Sequence, residues 1–431
     1  MAHKRLVTIV GATGAQGGAV VRSLLATNKY KIRGLTRDAT SEKAQAVKRL
    51  SDNIEMVSCD IGKPEDVQRA FKDSWAVFAV TDFWAQPHQP EVEIQQGQAM
   101  SNAAAKLQVP YFIFSTLEDT MKLSSGKYDV PHFAQKAKIR DYIKENHPTL
   151  KTIYVEPGFY MQNWLSSLKP QKSADGTMIF ALPVDEKTTL HMVDIEDTGP
   201  IITAILNDPE KYVGQDICMC GDAIQFSDVP KIFTKVTGVP ASAKTLTEAE
   251  YRLGMQSAPK FIQDEFFAMF QWFQEYGYYG KDKDWTTGKK LTTLNTFEQW
   301  LKKNGWKGLI LVGGFKQAFS IASQGDRIEF DNLSVDPRTR HTVWPILFGN
   351  SFNALLTYGF NQMQVQCYMC VKSTRGAQTT IFINIIGVAC LVLLSGLIGV
   401  IPYVYYSGCD PYTAGYIQSV DQIFPYFIMD A

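Results

Sequence analysis

Short apolar runs alternate with amphipathic stretches along the first third of the chain. The apolar runs, several of them β-branched, have the length and composition of buried strands. The predicted strands are Leu6–Val10, Lys31–Thr36, Ile54–Cys59, Ala76–Val80 and Tyr111–Ser115. The stretches between them predict helices near residues 19–27, 41–50, 64–73, 91–107 and 132–146. This succession predicts an α/β fold with a parallel sheet covered on both faces.

The pattern changes near residues 305–313, after which the chain becomes aromatic and apolar. Ile381–Ile401 carries Asn384 as its one strongly polar residue, and as a helix it would span about 30 Å, the thickness of a bilayer core. A buried helix of a soluble protein is the alternative, but such helices rarely run this long without a polar face. Val343–Phe360 is a weaker candidate because it contains Pro345 and two asparagines. We therefore predict one membrane helix here and retain a second as an alternative.

The overall composition is that of a globular protein. The chain has 431 residues, of which 45% are hydrophobic and 20% are charged. This length predicts two or three folding units, and the composition excludes a disordered chain, a coiled coil and a disulfide-dense secreted module. There are 43 basic and 43 acidic residues, so no basic excess indicates binding to nucleic acid.

The seven cysteines follow neither a metal-binding nor a disulfide pattern. Cys367 and Cys370 are two residues apart, but no second pair or histidine partner completes a four-ligand zinc spacing. An odd number of cysteines without framework spacing is typical of reduced thiols. At the N-terminus, the apolar run Leu6–Val10 is too short for a signal-peptide core. We predict no metal site and a cytosolic N-terminal body.

A glycine-rich turn follows the first predicted strand and precedes the first helix. It reads GATGAQGG and begins at Gly11. In this context Gly11 permits the tight turn, Gly14 lets a pyrophosphate approach the backbone, and Gly17 lets the helix pack close to the sheet. The exposed N–H groups at the helix start favour a negative charge. A glycine turn without a ligand is the alternative to this predicted dinucleotide site.

The end of the second strand predicts which dinucleotide binds. An NAD-binding protein places an acidic residue there, about 20 residues past the glycines. Here Thr36 and Arg37 occupy that position, and a guanidinium can bind a 2′-phosphate in bidentate fashion. Lys43 can assist, whereas Asp38 weakens the preference. We predict NADP(H), with Asp60 at the end of the third strand accepting from the adenine amino group.

Six segments together resemble the NmrA-like proteins, which are atypical relatives of the short-chain dehydrogenases/reductases. In order they read GATGAQGG, TRD, YFIFSTLED, HFAQK, VEPGFYMQNW and NDPEKYVGQDI. Their order and spacing agree over about residues 4–305. The resemblance implies a doubly wound Rossmann domain, here residues 1–160, and a smaller C-terminal α/β lobe, here residues 161–305, with the cleft between them.

The resemblance also implies the residues that contact NADP(H). By position these are Gly11, Thr13, Gly14, Gln16, Gly17, Arg37, Asp60, Thr81, Lys136, Pro157, Phe159 and Tyr160. Of this set, the last three and Lys136 are expected near the nicotinamide and its ribose.

The catalytic motif of a working short-chain reductase is altered in this chain. Such enzymes use Tyr-x-x-x-Lys, in which the phenol donates a proton and the ammonium lowers its pKa. Here His132 replaces the tyrosine and Lys136 remains. A histidine can donate the proton, although a lone histidine is more often structural. Ser115 stands where these enzymes keep a helper hydroxyl, and a helix cap is its alternative role.

The altered motif agrees with the activity that the resemblance implies. NmrA-like proteins are mostly NADP(H)-sensing regulators with little or no turnover, in the cytosol or nucleus, and such a role requires a protein partner or a homodimer. An NADPH-dependent reductase of a small carbonyl or quinone is the alternative.

Two features of the later lobe receive structural interpretations. We expect Asp194 and Asp197 to form a helix N-cap and first turn rather than an acid/base pair. The aromatic run Phe261–Tyr279 has helical spacing, and we interpret it as core, with a partner surface as the alternative.

The tail from about residue 310 resembles the sodium/solute symporter family, in its multivitamin and monocarboxylate branch. The segments LVGGFKQAFSIASQGDRIEF and SGCDPYTAGYIQSVDQIFPYFIMD carry this resemblance. The tail supplies at most two helices of a longer bundle, so it cannot by itself form a transport pathway. If only Ile381–Ile401 spans, Lys372 and Arg375 stay on the cytosolic side with the Rossmann body. A membrane-anchored fusion and a chimeric gene assignment both remain open.

Overall fold

The computed structural model describes residues 4–304, together with Arg375, Gln378, Thr379 and Gln422. The chain divides into two compact units, Met1–Asn304 and Gly305–Ala431. No helix in the described part is both long and apolar enough to cross a bilayer. The predicted spans 381–401 and 343–360 lie outside the described residues, as do Cys367 and Cys370.

Thirteen strands occur within residues 4–304. They are Arg5–Ile9 (β1), Tyr30–Thr36 (β2), Ile54–Ser58 (β3), Ala76–Ala79 (β4), Tyr111–Ser115 (β5), Thr152–Pro157 (β6), Phe159–Tyr160 (β7), Gln171–Lys172 (β8), Met178–Leu182 (β9), Thr189–Val193 (β10), Asp216–Met219 (β11), Asp222–Gln225 (β12) and Ala241–Thr245 (β13). The five strands predicted from the sequence correspond to β1–β5, with ends that differ by one residue at most.

Eleven helices accompany these strands in the same part of the chain. They are Ala15–Thr27 (α1), Glu42–Lys48 (α2), Pro64–Phe71 (α3), Pro90–Lys106 (α4), Thr120–Leu123 (α5), Pro131–Asn146 (α6), Thr198–Asn207 (α7), Asp228–Thr237 (α8), Glu248–Gly254 (α9), Lys260–Tyr276 (α10) and Phe297–Asn304 (α11). Each helix predicted between the first strands is present, which confirms the alternation read from the apolar pattern.

The main sheet has seven parallel strands in the order β11-β6-β5-β4-β1-β2-β3. The chain moves outward from β1 through β2 to β3, then returns to the other side of β1 with β4. This reversal leaves a crevice at the carboxyl ends of β1 and β4, where ligands bind in open α/β sheets. The topology confirms the predicted doubly wound Rossmann sheet.

Helices cover both faces of this sheet and divide the core in two. On one face, α1 and α7 contribute Val20, Leu24, Ile201 and Ile205, all buried against the strands. On the other face, a second apolar cluster gathers residues of α3, α4 and α6, including Ile139. Burying a side chain of this size stabilises the fold by about 1.5–3 kcal/mol. The two clusters hold the strand ends, and therefore the crevice, in place.

Two three-stranded sheets, with the orders β12-β10-β7 and β13-β9-β8, accompany the main sheet; their strands lie in the smaller lobe, except that β7 ends at Tyr160, just before the predicted boundary. The long helix α10 lies within the predicted aromatic run, and Phe270, Trp272 and Phe273 are buried. This confirms the interpretation as core for these three residues, whereas Phe266 and Phe267 are only partly buried. Glu265 on the same helix is also buried, which the apolar pattern did not suggest.

The two aspartates of the later lobe have different roles. Asp194 caps the short 3-10 turn that follows it, because its side chain accepts from the backbone N–H of Glu196 at 3.1 Å. Asp197 lies in the first turn of that 3-10 helix, so the expected pairing of a cap and a first-turn residue is confirmed, although the side chain of Asp197 makes no capping hydrogen bond. Asp197 instead accepts from Asn295, from the backbone N–H at 2.7 Å and the amide at 2.8 Å. Burial raises the pKa of Asp197 to about 6.

Candidate functional site

The glycine turn forms a shallow cradle between β1 and α1. Gly11 has a φ of 65°, in the left-handed region that favours glycine. The N–H of Gly14 donates to the carbonyl of Gly11 at 2.8 Å, which closes the turn. A Cβ on Gly17 would lie 2.2 Å from that carbonyl oxygen, so only glycine fits. No side chain caps α1, and its first N–H groups remain available to an anion.

Arg37 and Asp38, just past β2, differ in how far they are engaged. Asp38 accepts from the backbone and hydroxyl of Thr40 at 2.7 and 2.6 Å, and these bonds lower the pKa of its carboxyl group. One oxygen of the carboxylate, Oδ1, is therefore engaged within its own turn. Arg37 is exposed and makes no ion pair within the described part of the chain. Asp38, which would weaken a preference for NADP(H), is thus hydrogen-bonded within its turn, whereas Arg37, the predicted ligand of the 2′-phosphate, has no ion-pair partner among the described residues.

Asp60, placed by prediction at the adenine, lies in the turn after β3. Its side chain accepts from the backbone N–H of Gly62 at 3.0 Å, and its Oδ2 atom lies 3.9 Å from Nζ of Lys63. The side chain is about half exposed. One oxygen thus stabilises the turn, and contact of the other with an adenine stays a prediction.

Gln16 in α1 connects the glycine turn to the ends of β5 and β7. Its amide nitrogen donates to the hydroxyl of Tyr160 at 2.5 Å, and its oxygen accepts from Ser115 at 3.0 Å. Burial raises the pKa of Tyr160 to about 12, so this phenol remains neutral. Ser115 is not a helix cap, because Asp119 caps the helix that follows. Thr13, also a predicted contact, lies 3.5 Å from Thr36 between their hydroxyl oxygens.

Lys136 is held by a buried partner that the sequence did not indicate. Its ammonium donates to the carbonyl and hydroxyl of Thr81 at 3.1 and 2.8 Å, and it forms an ion pair with Glu93. The hydroxyl of Thr81 in turn donates to Glu93 at 2.6 Å. Glu93 is 3% exposed, and its Oε2 atom has no hydrogen-bond partner among the described residues. The charge of Lys136 is therefore balanced before any ligand binds.

His132 is held by a second buried carboxylate. Glu265 of α10 accepts from the backbone N–H of His132 at 2.8 Å and lies 2.7 Å from its Nδ1 atom. Phe83, Trp84 and Phe266 surround the ring at centroid distances of 6.0, 5.1 and 6.0 Å. The histidine is thus oriented by packing and by hydrogen bonding together.

A cavity of about 670 Å³ lies at the carboxyl ends of β4, β5 and β6. Helix α10 closes its other side with Phe266 and Met269, and Tyr251 and Tyr278 also line it. The predicted site residues that line this cavity are Gln16, Thr81, Ser115, His132, Lys136, Pro157, Phe159 and Tyr160. The cavity is large enough for a small organic ligand, and its walls are mostly apolar.

The predicted residues fall into two regions along the carboxyl edge of the sheet. Eight line the cavity, whereas Arg37 and Asp60 lie past β2 and β3, beyond the glycine turn. Sequence reasoning missed Glu93 and Glu265. Each is an acidic residue on a buried helix face, and a buried charge requires a partner. That pattern was a usable signal, most clearly for Glu265 amid aromatic neighbours.

The comparisons with known proteins agree with this fold. A sequence model of the NmrA-like family matches residues 3–301. An NmrA-like family domain-containing protein of Dictyostelium discoideum is 30% identical over 310 residues, covering 70% of this chain and 98% of that protein.

A solved structure extends the agreement to three dimensions. The negative transcriptional regulator NmrA in complex with NADP has a TM-score of 0.59 and 19% identity, over 70% of this chain and 95% of that one. At this identity the likeness shows the fold.

The tail has separate relatives. Sodium-coupled monocarboxylate transporter 2 of Mus musculus is 36% identical over 119 residues, which is 28% of this chain. The match spans only 19% of the transporter's length. A segment of that size is a small part of such a transporter.

Proposed function

The chain belongs to the NmrA-like family, and we propose that it binds NADP(H) along the carboxyl edge of its sheet and acts as a cofactor-sensing regulatory protein. The observation that carries this proposal is the cradle at Gly11, Gly14 and Gly17, which opens onto uncapped N–H groups of α1. A pyrophosphate fits there because those groups supply hydrogen-bond donors and the helix dipole supplies positive potential.

Arg37 supports NADP(H) over NAD(H). Its guanidinium can form two charge-assisted hydrogen bonds with a 2′-phosphate. Of the two carboxylate oxygens of Asp38, Oδ1 is engaged by Thr40, which leaves Oδ2 to compete for a ribose hydroxyl. The regulatory role further requires a partner surface, which we propose is met by a second copy or by another protein.

Calorimetric titration of NADPH and NADH into the full chain tests this proposal. We expect NADPH to bind more tightly, and Arg37→Ala to weaken NADPH binding by about tenfold or more, since hydrogen bonds to charged groups contribute about 1.5–3 kcal/mol. Binding of NADH should change little. Arg49→Ala, at an exposed arginine at the carboxyl end of α2, is the matched control. Equal losses for both coenzymes, or tighter NADH binding, would contradict the proposal.

An NADPH-dependent reductase is the second candidate, and the cavity favours it. His132 and Lys136 line that cavity beside Phe159 and Tyr160, where the nicotinamide is expected. NADPH, when bound, supplies a hydride to a carbonyl carbon, and His132 would supply the proton to its oxygen. Tyr160 is a poor proton donor, because burial raises the pKa of its phenol to about 12.

The second candidate is tested by NADPH oxidation with phenanthrenequinone or nitrobenzaldehyde as the carbonyl probe. His132→Ala should reduce turnover by about 100-fold or more, the usual contribution of general acid catalysis, while NADPH binding persists. Unchanged turnover in this variant would exclude His132 as the proton donor. Binding of NADPH without turnover of either probe would leave the sensor as the favoured function.

For the tail we propose a membrane anchor rather than a transporter. The matched part covers a fifth or less of the transporter, and transport requires opposing helical repeats. The full chain should then remain with membranes after alkaline carbonate washing, whereas release into the wash would exclude an integral anchor. The anchored body would stay on the cytosolic side, where NADP(H) is available.

A further inference from the structure

The carboxylate of Glu265 makes two hydrogen bonds to a single residue. It accepts from the backbone N–H of His132 at 2.8 Å and lies 2.7 Å from the ring Nδ1 atom. Glu265 is 4% exposed, and the side chain of His132 is 12% exposed. An ionised carboxylate can only accept hydrogen bonds, so Nδ1 must carry a proton in this arrangement. The geometry therefore determines the tautomer of the neutral imidazole.

We propose that Glu265 is a positioning residue that keeps the proton of His132 on Nδ1 and leaves Nε2 to exchange a proton with a ligand in the 670 Å³ cavity. This inference rests on the reductase candidate for its chemical use. The proposed tautomer and orientation of the ring do not depend on the reductase candidate.

The location of Nε2 supports this role. His132 lines the cavity, and Glu265 is hydrogen-bonded to its other ring nitrogen, Nδ1. The Nε2 atom makes no hydrogen bond to any residue in the described part of the chain. On a residue that lines the cavity, a ring nitrogen without a protein partner among the described residues is available to a ligand oxygen.

The aromatic surroundings keep the ring in this orientation. Trp84 and Phe266 stack with a centroid distance of 5.0 Å and an interplanar angle of 3°. Each of them also contacts the imidazole. Apolar walls lower the local dielectric constant, which strengthens the attraction between the Glu265 carboxylate and an imidazolium. The aromatic rings and the carboxylate therefore hold the imidazole in one orientation.

The proton transfer is balanced within these groups. The Nε2–H bond of the imidazolium breaks and an O–H bond forms on the ligand oxygen, while Glu265 stays ionised throughout. His132 becomes the neutral Nδ1–H tautomer, which is the form that Glu265 holds. In the reductase reaction the two electrons come from the hydride that NADPH supplies. In the other tautomer the proton is on Nε2, and Nδ1 can only accept. The carboxylate of Glu265 would then have no hydrogen-bond donor from the ring.

A structural alternative assigns Glu265 only to the start of α6. The backbone N–H of His132 is one of the first donors of that helix, and a carboxylate there stabilises the helix end. This alternative does not require any particular tautomer. It predicts that loss of Glu265 lowers stability but leaves the His132 ring as it was.

Nitrogen NMR of the histidine-labelled full chain separates the two roles. His132→Gln identifies the resonances of His132 by their loss. In wild type and in alkaline buffer, where imidazole is neutral, we expect the Nδ1–H tautomer. Glu265→Leu removes Oε1, the oxygen that accepts both hydrogen bonds, and we expect the ring to change towards the Nε2–H form that free histidine favours. Glu265→Gln retains an amide oxygen as acceptor, and it should preserve the Nδ1–H tautomer.

Turnover and binding complete the experiment. With phenanthrenequinone as probe, Glu265→Leu should lower kcat by about 100-fold, Glu265→Gln by less, and neither should lower kcat further in a His132→Ala background. NADPH binding, measured by calorimetry, checks that each variant is folded.

A wild-type His132 protonated on Nε2, or an unchanged tautomer in Glu265→Leu, would overturn the inference. If Glu265→Leu does not fold, an Nε2–H tautomer in Glu265→Gln would overturn it equally. Absence of wild-type turnover would leave the sensor as the favoured function, while the tautomer still decides the role of Glu265.

Discussion

The side-chain amide of Gln16 donates a hydrogen bond of 2.5 Å to the hydroxyl of Tyr160, although 144 residues separate them. Gln16 belongs to the first helix after the glycine turn, and Tyr160 to a short strand of the smaller lobe. The bond therefore links the predicted phosphate site to the cavity. Because the oxygen of the same amide group accepts from Ser115, one side chain joins three elements at the carboxyl edge of the sheet.

Replacement of Gln16 by leucine should destabilise the fold. The buried hydroxyls of Tyr160 and Ser115 would lose their partner, at a cost of about 1–3 kcal/mol. We expect urea unfolding to report this loss in Gln16→Leu. Tyr160→Phe is the matched partner variant, because it removes one of the stranded hydroxyls. In the double variant the second substitution should cost less than it does alone, whereas strictly additive costs would contradict the link.

Removal of Lys136 should leave the buried charge of Glu93 without its partner. Lys136→Met leaves the carboxylate of Glu93 without its ammonium partner, and loss of one member of a buried pair costs about 3–5 kcal/mol. Lys136→Met combined with Glu93→Gln removes both charges. We expect this double variant to be more stable than Lys136→Met alone in urea unfolding. A double variant that is less stable would show that Glu93 does not depend on Lys136.

Substitution of Gly17 should disrupt the cofactor cradle, whereas its neighbour should tolerate the same change. A Cβ on Gly17 would meet the Gly11 carbonyl oxygen at 2.2 Å, and that backbone atom cannot move without opening the turn. A Cβ on Gly18 would meet the end of the flexible Arg22 side chain at 3.3 Å and the carbonyl oxygen of Ala12 at 3.6 Å, which is an ordinary van der Waals contact. Gly17→Ala should destabilise the fold by about 1–3 kcal/mol and abolish NADPH binding measured by calorimetry.

Gly18→Ala is the matched control for this prediction. It should bind NADPH normally and be as stable as wild type or slightly more, since alanine is favoured over glycine within a helix by about 1 kcal/mol. Normal binding in Gly17→Ala would contradict the proposed pyrophosphate site.

Acid should destabilise the protein through His191 in β10. Burial lowers the pKa of this imidazole to about 4, from an ordinary value of 6.5, because the folded state excludes its charged form. The folded state therefore binds fewer protons than the unfolded state between these values. The stability that depends on neutral His191 is complete above about pH 6.5 and is lost as the pH falls through about 4. The steepest loss is about 1.4 kcal/mol per pH unit.

Urea unfolding at a series of pH values checks this prediction. His191→Leu should lose less stability than wild type between pH 6.5 and pH 4. His88→Leu, at an exposed position, is the control and should keep the acid-dependent loss. Identical slopes for His191→Leu and wild type would exclude His191 as its source.

Local pattern was sufficient for most of the Rossmann sheet. A strand such as Tyr111–Ser115 is apolar up to its final serine because both of its faces are buried, and this composition is visible without any knowledge of its neighbours. The glycine turn could also be recognised from the sequence. The positive φ at Gly11 and the close backbone contact at Gly17 both arise within one strand–turn–helix unit. The sequence by itself therefore determined the fold class and the location of the predicted phosphate site.

Only the tertiary structure decided which charged groups act together at the cavity. Glu265 reaches His132 across 133 residues, and Glu93 meets Lys136 across 43. Neither pairing follows from spacing along the chain, because the partners lie on different helices that the sheet brings together. A carboxylate that becomes buried on folding needs a partner. The identity of that partner depends on which side chains share its low-dielectric surroundings after folding. For this reason the glycine cradle could be predicted from the chain alone, and the His132–Glu265 pair could not.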